Sequence, residues 1–429
     1  MKKKIILALR VYIDSWKIPQ VRKKMLFTLL ILFVFRLLAH LPSSGVKTQV
    51  LQSFFNQNQF LALLDMFSGG TLANFSICAL GVTPYINASV MFQLLGFVFP
   101  QIKQLREEGE YGRQKLTMYT RLTTIPLAVL QSIGMYALLK SQGIIEPLSF
   151  PLLLSFVLTM TAGTVLLLFF GELINQYGIG NGISLLIFAG IVSRYPINFY
   201  QSFSVASQSN IFGLLIFFIM SIGLVAGITL VDEAFLKVPV RYARRARAGA
   251  ASQESYLPLK INSAGVMPII FALSLVSLPQ LIGRFLTQVQ IEGLANFGQR
   301  ISGLFQVNGL SYSISYFIFV VGFAYLYTTV VFNPKDVAEN LRKSGAFVPG
   351  VRPGVSTEKF LSFLLSRVTA AGAVFLGLIA VLPSLSQNIT NLSTLSLGGT
   401  GILIVVSVVL ELHRLLENLV QTWRYQSYF

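Results

Sequence analysis

The sequence is poor in the residues that redox and metal chemistry use: its 429 residues hold one cysteine, Cys78, and two histidines, His40 and His413. A lone cysteine excludes an intramolecular disulfide, and without a Cys/His cluster no structural zinc or iron–sulfur site is expected. Charge is scarce too. Asp, Glu, Lys and Arg make up 11% of the chain, against roughly 25% in soluble domains, which excludes an ordinary soluble enzyme. What is present is apolar. Hydrophobic residues account for 54%, and uncharged stretches long enough to cross a bilayer, which takes about 20 residues, recur along the whole length. This is the composition of an all-α, polytopic membrane protein.

Ten helical spans are predicted, centred in 25–41, 74–99, 117–139, 150–170, 182–194, 211–231, 262–283, 312–332, 361–383 and 397–415. The 43 uncharged residues between Arg367 and Glu411 are too many for one helix, and the polar stretch 384–396 divides them into two. An even count puts both termini on one side. Lys and Arg resist translocation and stay in the cytoplasm, and 26 of the 33 fall on the side of the termini, leaving Lys47, Lys140, Arg194, Arg284 and Arg300 opposite and Arg36 and Arg367 near span ends. The termini are therefore expected in the cytoplasm, within a multi-pass cytoplasmic-membrane protein. The basic N-terminus (Lys2, Lys3, Lys4, Arg10) has no small-residue cleavage site after an apolar core and does not read as a removable signal. It is either an amphipathic surface segment or a topogenic tail.

Five spans fall in 1–195 and five in 196–429, and an odd number per half inverts the second half relative to the first. That arithmetic is compatible with two inverted, pseudo-symmetric halves about a central site or pore. Coupled transporters and pumps place titratable groups at mid-membrane depth. Here Arg36, Arg121, Glu172, Arg367, Glu411 and His413 all lie at or near span ends, where long side chains reach the interface. A ten-span secondary transporter or flippase lacks its coupling group, and a membrane enzyme lacks a nucleophile, base or metal set. The glycine-rich run Gly178-Ile-Gly-Asn-Gly182 has neither the strand nor the lysine of a phosphate loop; it is expected to open the fifth span as a loop.

In the second span, Gly81-Val-Thr-Pro-Tyr-Ile-Asn-Ala-Ser89, Pro84 is expected to kink or break the helix. Thr83, Asn87, Ser89 and Gln93 put neutral polar groups on its surface, either bonding a neighbouring helix or facing water. Just before it, 61–71 is apolar, too short to span, and ends in Gly69 and Gly70. It is either an amphipathic surface turn or a re-entrant element, which would imply a wet central cavity.

The run Asn333-Pro-Lys-Asp-Val-Ala-Glu-Asn-Leu-Arg-Lys-Ser-Gly-Ala-Phe-Val-Pro-Gly-Val-Arg-Pro-Gly354 resembles the cytosolic loop between helices eight and nine of the SecY family, the pore subunits of the bacterial protein translocon. Pro239-Val-Arg-Tyr-Ala-Arg-Arg245, Leu259-Lys-Ile-Asn-Ser-Ala-Gly-Val-Met-Pro268, Gly178-Ile-Gly-Asn-Gly-Ile-Ser184 and Gly398-Gly-Thr400 with Ile404 resemble further parts of that family, in order along nearly the whole chain.

The resemblance implies a passive, non-enzymatic, protein-conducting channel with no cofactor or metal. It puts the external plug on 61–72, including Leu64, Met66, Phe67, Ser68, Gly69, Gly70 and Thr71. A pore ring of branched aliphatics falls on Val82, Ile86, Ile187, Ile191, Ile270 and Ile404, with valine at 82 where isoleucine is commoner. Such a ring dewets a narrow aperture yet makes no fixed bonds to what passes. The family also implies a lateral gate, placing Pro84, Asn87, Gln131, Asn262 and Ser263 on or near its helices. Through that gate an apolar segment of a nascent chain can enter lipid, each Leu, Ile or Phe favouring insertion by roughly 0.3–0.6 kcal/mol. The cytosolic loops 232–261 and 333–360 would present Arg241, Arg244, Arg245, Arg247 and Arg352 to the ribosome or the SecA motor. SecE and usually SecG would accompany the channel, and its clients would be signal peptides and unfolded secretory chains.

Overall fold

The computed structural model describes residues 12–42, 65, 68–141, 143, 145–209, 211–242, 255–287, 292–306, 309–390 and 398–426. The helices are α1 (Pro19–Leu38), α2 (Thr83–Val98), α3 (Pro100–Glu107), α4 (Glu110–Ser141), α5 (Phe150–Tyr177), α6 (Gly182–Ser209), α7 (Ile211–Glu233), α8 (Met267–Leu286), α9 (Glu292–Leu304), α10 (Leu310–Val331), α11 (Pro334–Lys343), α12 (Val355–Thr390) and α13 (Gly398–Gln426). Each of the ten apolar stretches overlaps one of them. Among the described residues, α4, α5, α10 and α12 are long and apolar enough to cross a membrane, while 182–196 and 267–277 are shorter apolar helices.

The second stretch departs from expectation in a way its sequence explains. Helix α2 starts only at Thr83, with Pro84 in its first turn. There the missing N–H would have no intrahelical partner anyway, so the proline opens the helix and does not kink it. Upstream, 69–82 runs through turns, and the Ile77 amide donates to the Leu41 carbonyl at 3.2 Å.

The chain divides into two compact units. The first is Met1–Leu215 with Ile282–Arg300 and Leu392–Phe429, and the second is Ile216–Leu281 with Ile301–Asn391. The final helix thus belongs to the first unit, where α13 packs on α6. In that unit α2 also packs on α4, α4 on α5, and α5 on α6 and α1. The run 178–181 separates α5 from α6, as its glycines lead one to expect. Asn181 accepts from the amides of Ile183 and Ser184 at 3.1 and 3.3 Å, satisfying orphan donors at the start of α6. Thr28 of α1 accepts from the Ile179 amide at 3.1 Å. Ile18, Val21, Ile179, Leu416 and Val420 make the apolar cluster that joins this turn to α1 and α13.

The second unit carries a small sheet that the apolar and helical periodicity did not announce. Strands β1 (Phe235–Tyr242), β2 (Ser255–Lys260) and β3 (Ala346–Phe347) pair antiparallel in the order β2-β1-β3. Phe235 opposes Lys260 and Arg241 opposes Phe347. Val238, Leu259 and Val348 form its buried core, with Val351, Phe360 and Leu364 against it. Helix α10 packs on α12 in the same unit.

Candidate functional site

In the first unit the segment that ends at α2 is folded onto α6 through glycine. Gly69 and Gly190 touch backbone to backbone. A Cβ added to Gly190 would come within 2.8 Å of Gly69 Cα, and one added to Gly69 within 2.5 Å of Gly190 Cα, so neither position has room for a side chain. On its other side Ser68 meets Gly81, whose Cβ would lie 3.3 Å from Ser68 Cα. Ser68 and Gly69 therefore sit between the residue preceding Val82 and the residue preceding Ile191.

Several of the segment's polar groups bond one another. The Ser68 hydroxyl donates to the Asp65 carbonyl at 3.0 Å, the Thr71 hydroxyl to the Ser68 carbonyl at 2.9 Å, and the Gly70 amide to the Asp65 carbonyl at 2.8 Å. Asp65, 6% exposed, accepts the Ala73 amide on Oδ1 at 2.7 Å and the Arg194 guanidinium on Oδ2. Arg36 of α1 donates to the Gly69 carbonyl at 2.8 Å. The sequence reading missed Asp65, Arg36 and Arg194 as functional candidates. Its one usable signal was that Arg194 is among the few basic residues on the side opposite the termini. Leu64, Met66 and Phe67 lie outside the described residues.

The aliphatics Val82, Ile86, Ile187, Ile191 and Ile404 belong to this same unit and are all buried, Ile191 and Ile404 at 1% exposure. Val82 is the residue before α2, Ile86 lies one turn on, and Ile187 and Ile191 stand one turn apart on α6, so that each pair shares a helix face. Ile404 is on α13. Ile270, also buried, stands on α8 in the second unit.

Pro84 and Asn87 are on α2, which packs on α4, the helix of half-buried Gln131. Asn262 and Ser263 precede α8. They form the turn from β2 into α8, where Asn262 donates to Asp232 at 2.6 Å and the Ser263 hydroxyl to the Lys260 carbonyl at 2.8 Å.

On the sheet, Arg241 is exposed on β1. Arg352 is exposed in a turn between Gly350 (φ 82°) and Gly354 (φ 103°), its carbonyl accepting the Thr357 hydroxyl at 2.9 Å. Buried Val348, together with Val351 packed against the sheet core, pins this turn from beneath. Arg244, Arg245 and Arg247 lie outside the described residues.

Apolar helices of membrane-crossing length, with a small sheet that holds Arg241 and Arg352 exposed, define the class of a helical membrane protein. Comparison with known proteins narrows the class. Residues 76–413 match the SecY family model. The protein translocase subunit SecY of Pseudomonas aeruginosa is 40% identical over 408 residues, 94% of this chain and 91% of that protein. Among solved structures, a SecY channel whose plug domain stabilises the closed state and maintains a membrane seal aligns with a TM-score of 0.64 at 17% identity over 94% of this chain and 96% of that one. Sec61 in the canine ribosome–channel complex aligns with a TM-score of 0.60, also at 17% identity and the same coverage. The chain belongs to the SecY family. It is a protein translocase subunit, and its fold is that of the family's protein-conducting channels.

Proposed function

We propose that the chain is the passive, plugged pore of a Sec translocase in the cytoplasmic membrane. It moves unfolded secretory polypeptides across and releases apolar segments sideways into lipid. Ten spans in two inverted halves, 1–195 and 196–429, would surround the pore, with both termini in the cytoplasm. The ring would be Val82, Ile86, Ile187, Ile191, Ile270 and Ile404, and 61–72 the plug above it. The observation that carries this is the seat of Ser68 and Gly69 between Gly81 and Gly190, each one residue from a ring position.

Chemistry suits the task. Branched aliphatics around an aperture exclude water and ions but offer a passing chain no fixed bond, so the sequence of that chain is immaterial. Pro84, Asn87, Gln131, Asn262 and Ser263 would lie on or near the helices that part to release signal peptides and apolar segments. The work would come from partners. Those proposed are SecA or the ribosome, met by Arg241, Arg244, Arg245, Arg247 and Arg352, with SecE and SecG as companion subunits. The relative in the canine ribosome–channel complex supports the ribosome as one of them.

The test is site-specific crosslinking from a photoreactive residue at position 86 in reconstituted vesicles. A stalled secretory precursor is expected to crosslink there, and only when translocation has begun. Absence of any crosslink, together with saturable binding of a small solute, would return the chain to the transporter class.

A further inference from the structure

We infer that Arg194 and Arg36 are positioning residues that clasp the segment beginning at Asp65 onto α6, and so set how readily the resting channel opens. This rests on 61–72 being the plug and goes beyond it, because it names what holds the plug down.

Three observations from three parts of the chain converge. The Asp65 carboxylate is buried and shared between the Ala73 amide, which closes the loop on itself, and the Arg194 guanidinium, which ties it to α6. Arg194 stands one helical turn beyond Gly190, on the same helix face as the Gly69 contact. Its guanidinium lies over Gly70, where a Cβ would be 2.6 Å from Nε, so that a side chain there would push the arginine off its path to the carboxylate. Arg36 of α1 donates to the Gly69 carbonyl. Two cations on two helices thus bond Asp65 and Gly69, in a segment to which neither cation belongs.

An ion pair suits a plug for a physical reason. Coulomb attraction scales inversely with the local dielectric constant, so the pair is strong while the site is dry and weakens severalfold once water enters. An apolar contact has no such dependence. The clasp therefore resists small excursions of the closed plug but lets go once a translocating chain has wetted the funnel. Breaking one partner strands the other charge in a buried site.

The experiment is ion leak from vesicles containing the purified channel with its companion subunits and no precursor. Arg194→Gln and Asp65→Asn are each expected to raise resting leak about tenfold or more, since stranding one charge of a buried pair shifts an equilibrium by at least that much. The charge-exchanged double variant Asp65→Arg/Arg194→Asp is expected to bring it back toward the parent value, which a general loss of folding would not do. Arg36→Gln should raise leak less, because a neutral carbonyl is the partner it loses. Deletion of 61–72 separates the two claims. If deletion raises leak but Arg194→Gln and Asp65→Asn do not, the clasp is wrong and the plug stands. If deletion leaves the leak unchanged, both fall.

Discussion

Two turns of this chain present arginine in opposite ways. At 345–360 the backbone is held by apolar side chains, Val348 and Val351 against Val238 and Leu259, and Arg352 is held out. At 68–82 buried Leu72 and Phe75 are joined by polar side chains, Ser68 and Thr71 with Asp65 before them, and Arg194 reaches in to complete these. The same guanidinium is thus held out to solvent in one place and drawn onto a buried carboxylate in the other. What decides is whether the local fold already satisfies its own polar groups without the arginine. The Arg352 turn does so through the Thr357 hydroxyl; the buried Asp65 carboxylate does not.

The sharpest way to break this contrast is to reverse the charge at the exposed turn. Arg352→Glu is expected to reduce SecA-driven translocation to background while leaving the melting temperature of the purified channel within about 1 °C, because surface substitutions away from packed features stay near ±0.5 kcal/mol. Normal translocation by that variant would make Arg352 only a determinant of orientation.

A smaller effect is expected from filling the glycine seat. Gly190→Leu puts a side chain where Gly69 backbone now lies, and backbone cannot yield as a side-chain end can. Resting leak should rise to the level of the 61–72 deletion, with translocation of a precursor preserved. At the other turn, a Cβ on Gly350 meets nothing within 4 Å. Gly350→Ala should therefore cost only the strain of its positive φ, on the order of 1 kcal/mol, and leave leak unchanged. Equal effects at the two glycines would remove the distinction between a seat and a turn.

These two regions also differ in how far they can be read from sequence. Long apolar runs bounded by charge give the helices, because a bilayer demands satisfied backbone over about 20 residues. Gly178 to Gly182 announces its own break. The basic turn at Arg352 is equally local, flanked by Gly350, Pro349, Pro353 and Gly354. The sheet is not local: β3 is two residues long and pairs with a strand more than a hundred positions earlier, so nothing in its own residues marks it. Asp65 and Arg194 are 129 positions apart, and no periodicity links them. Pro84 was legible as a break in the second span but not as to which side of it would be helix. That was decided by the non-helical path of 69–82, tied at Ile77 to Leu41.

The smallest effect expected lies at the base of the arginine-bearing loop. Asn333 precedes Pro334 and caps α11, accepting the Lys335 amide at 3.2 Å and donating to Asp336 at 2.8 Å. Asn333→Ala removes both bonds but leaves the proline, whose fixed φ already favours a helix start. A loss of about 1 kcal/mol is expected, confined to α11 and seen as roughly fivefold faster amide exchange there. Asn333→Asp keeps the acceptor but loses the bond to Asp336 and faces its carboxylate, so its exchange should fall between those of the parent and Asn333→Ala. Translocation should persist in both variants, since Arg352 rests on the sheet core and not on the α11 cap. If Asn333→Ala instead abolished translocation as fully as Arg352→Glu, the partner would be recognising the placement of the whole loop, and the guanidinium would be one contact among several.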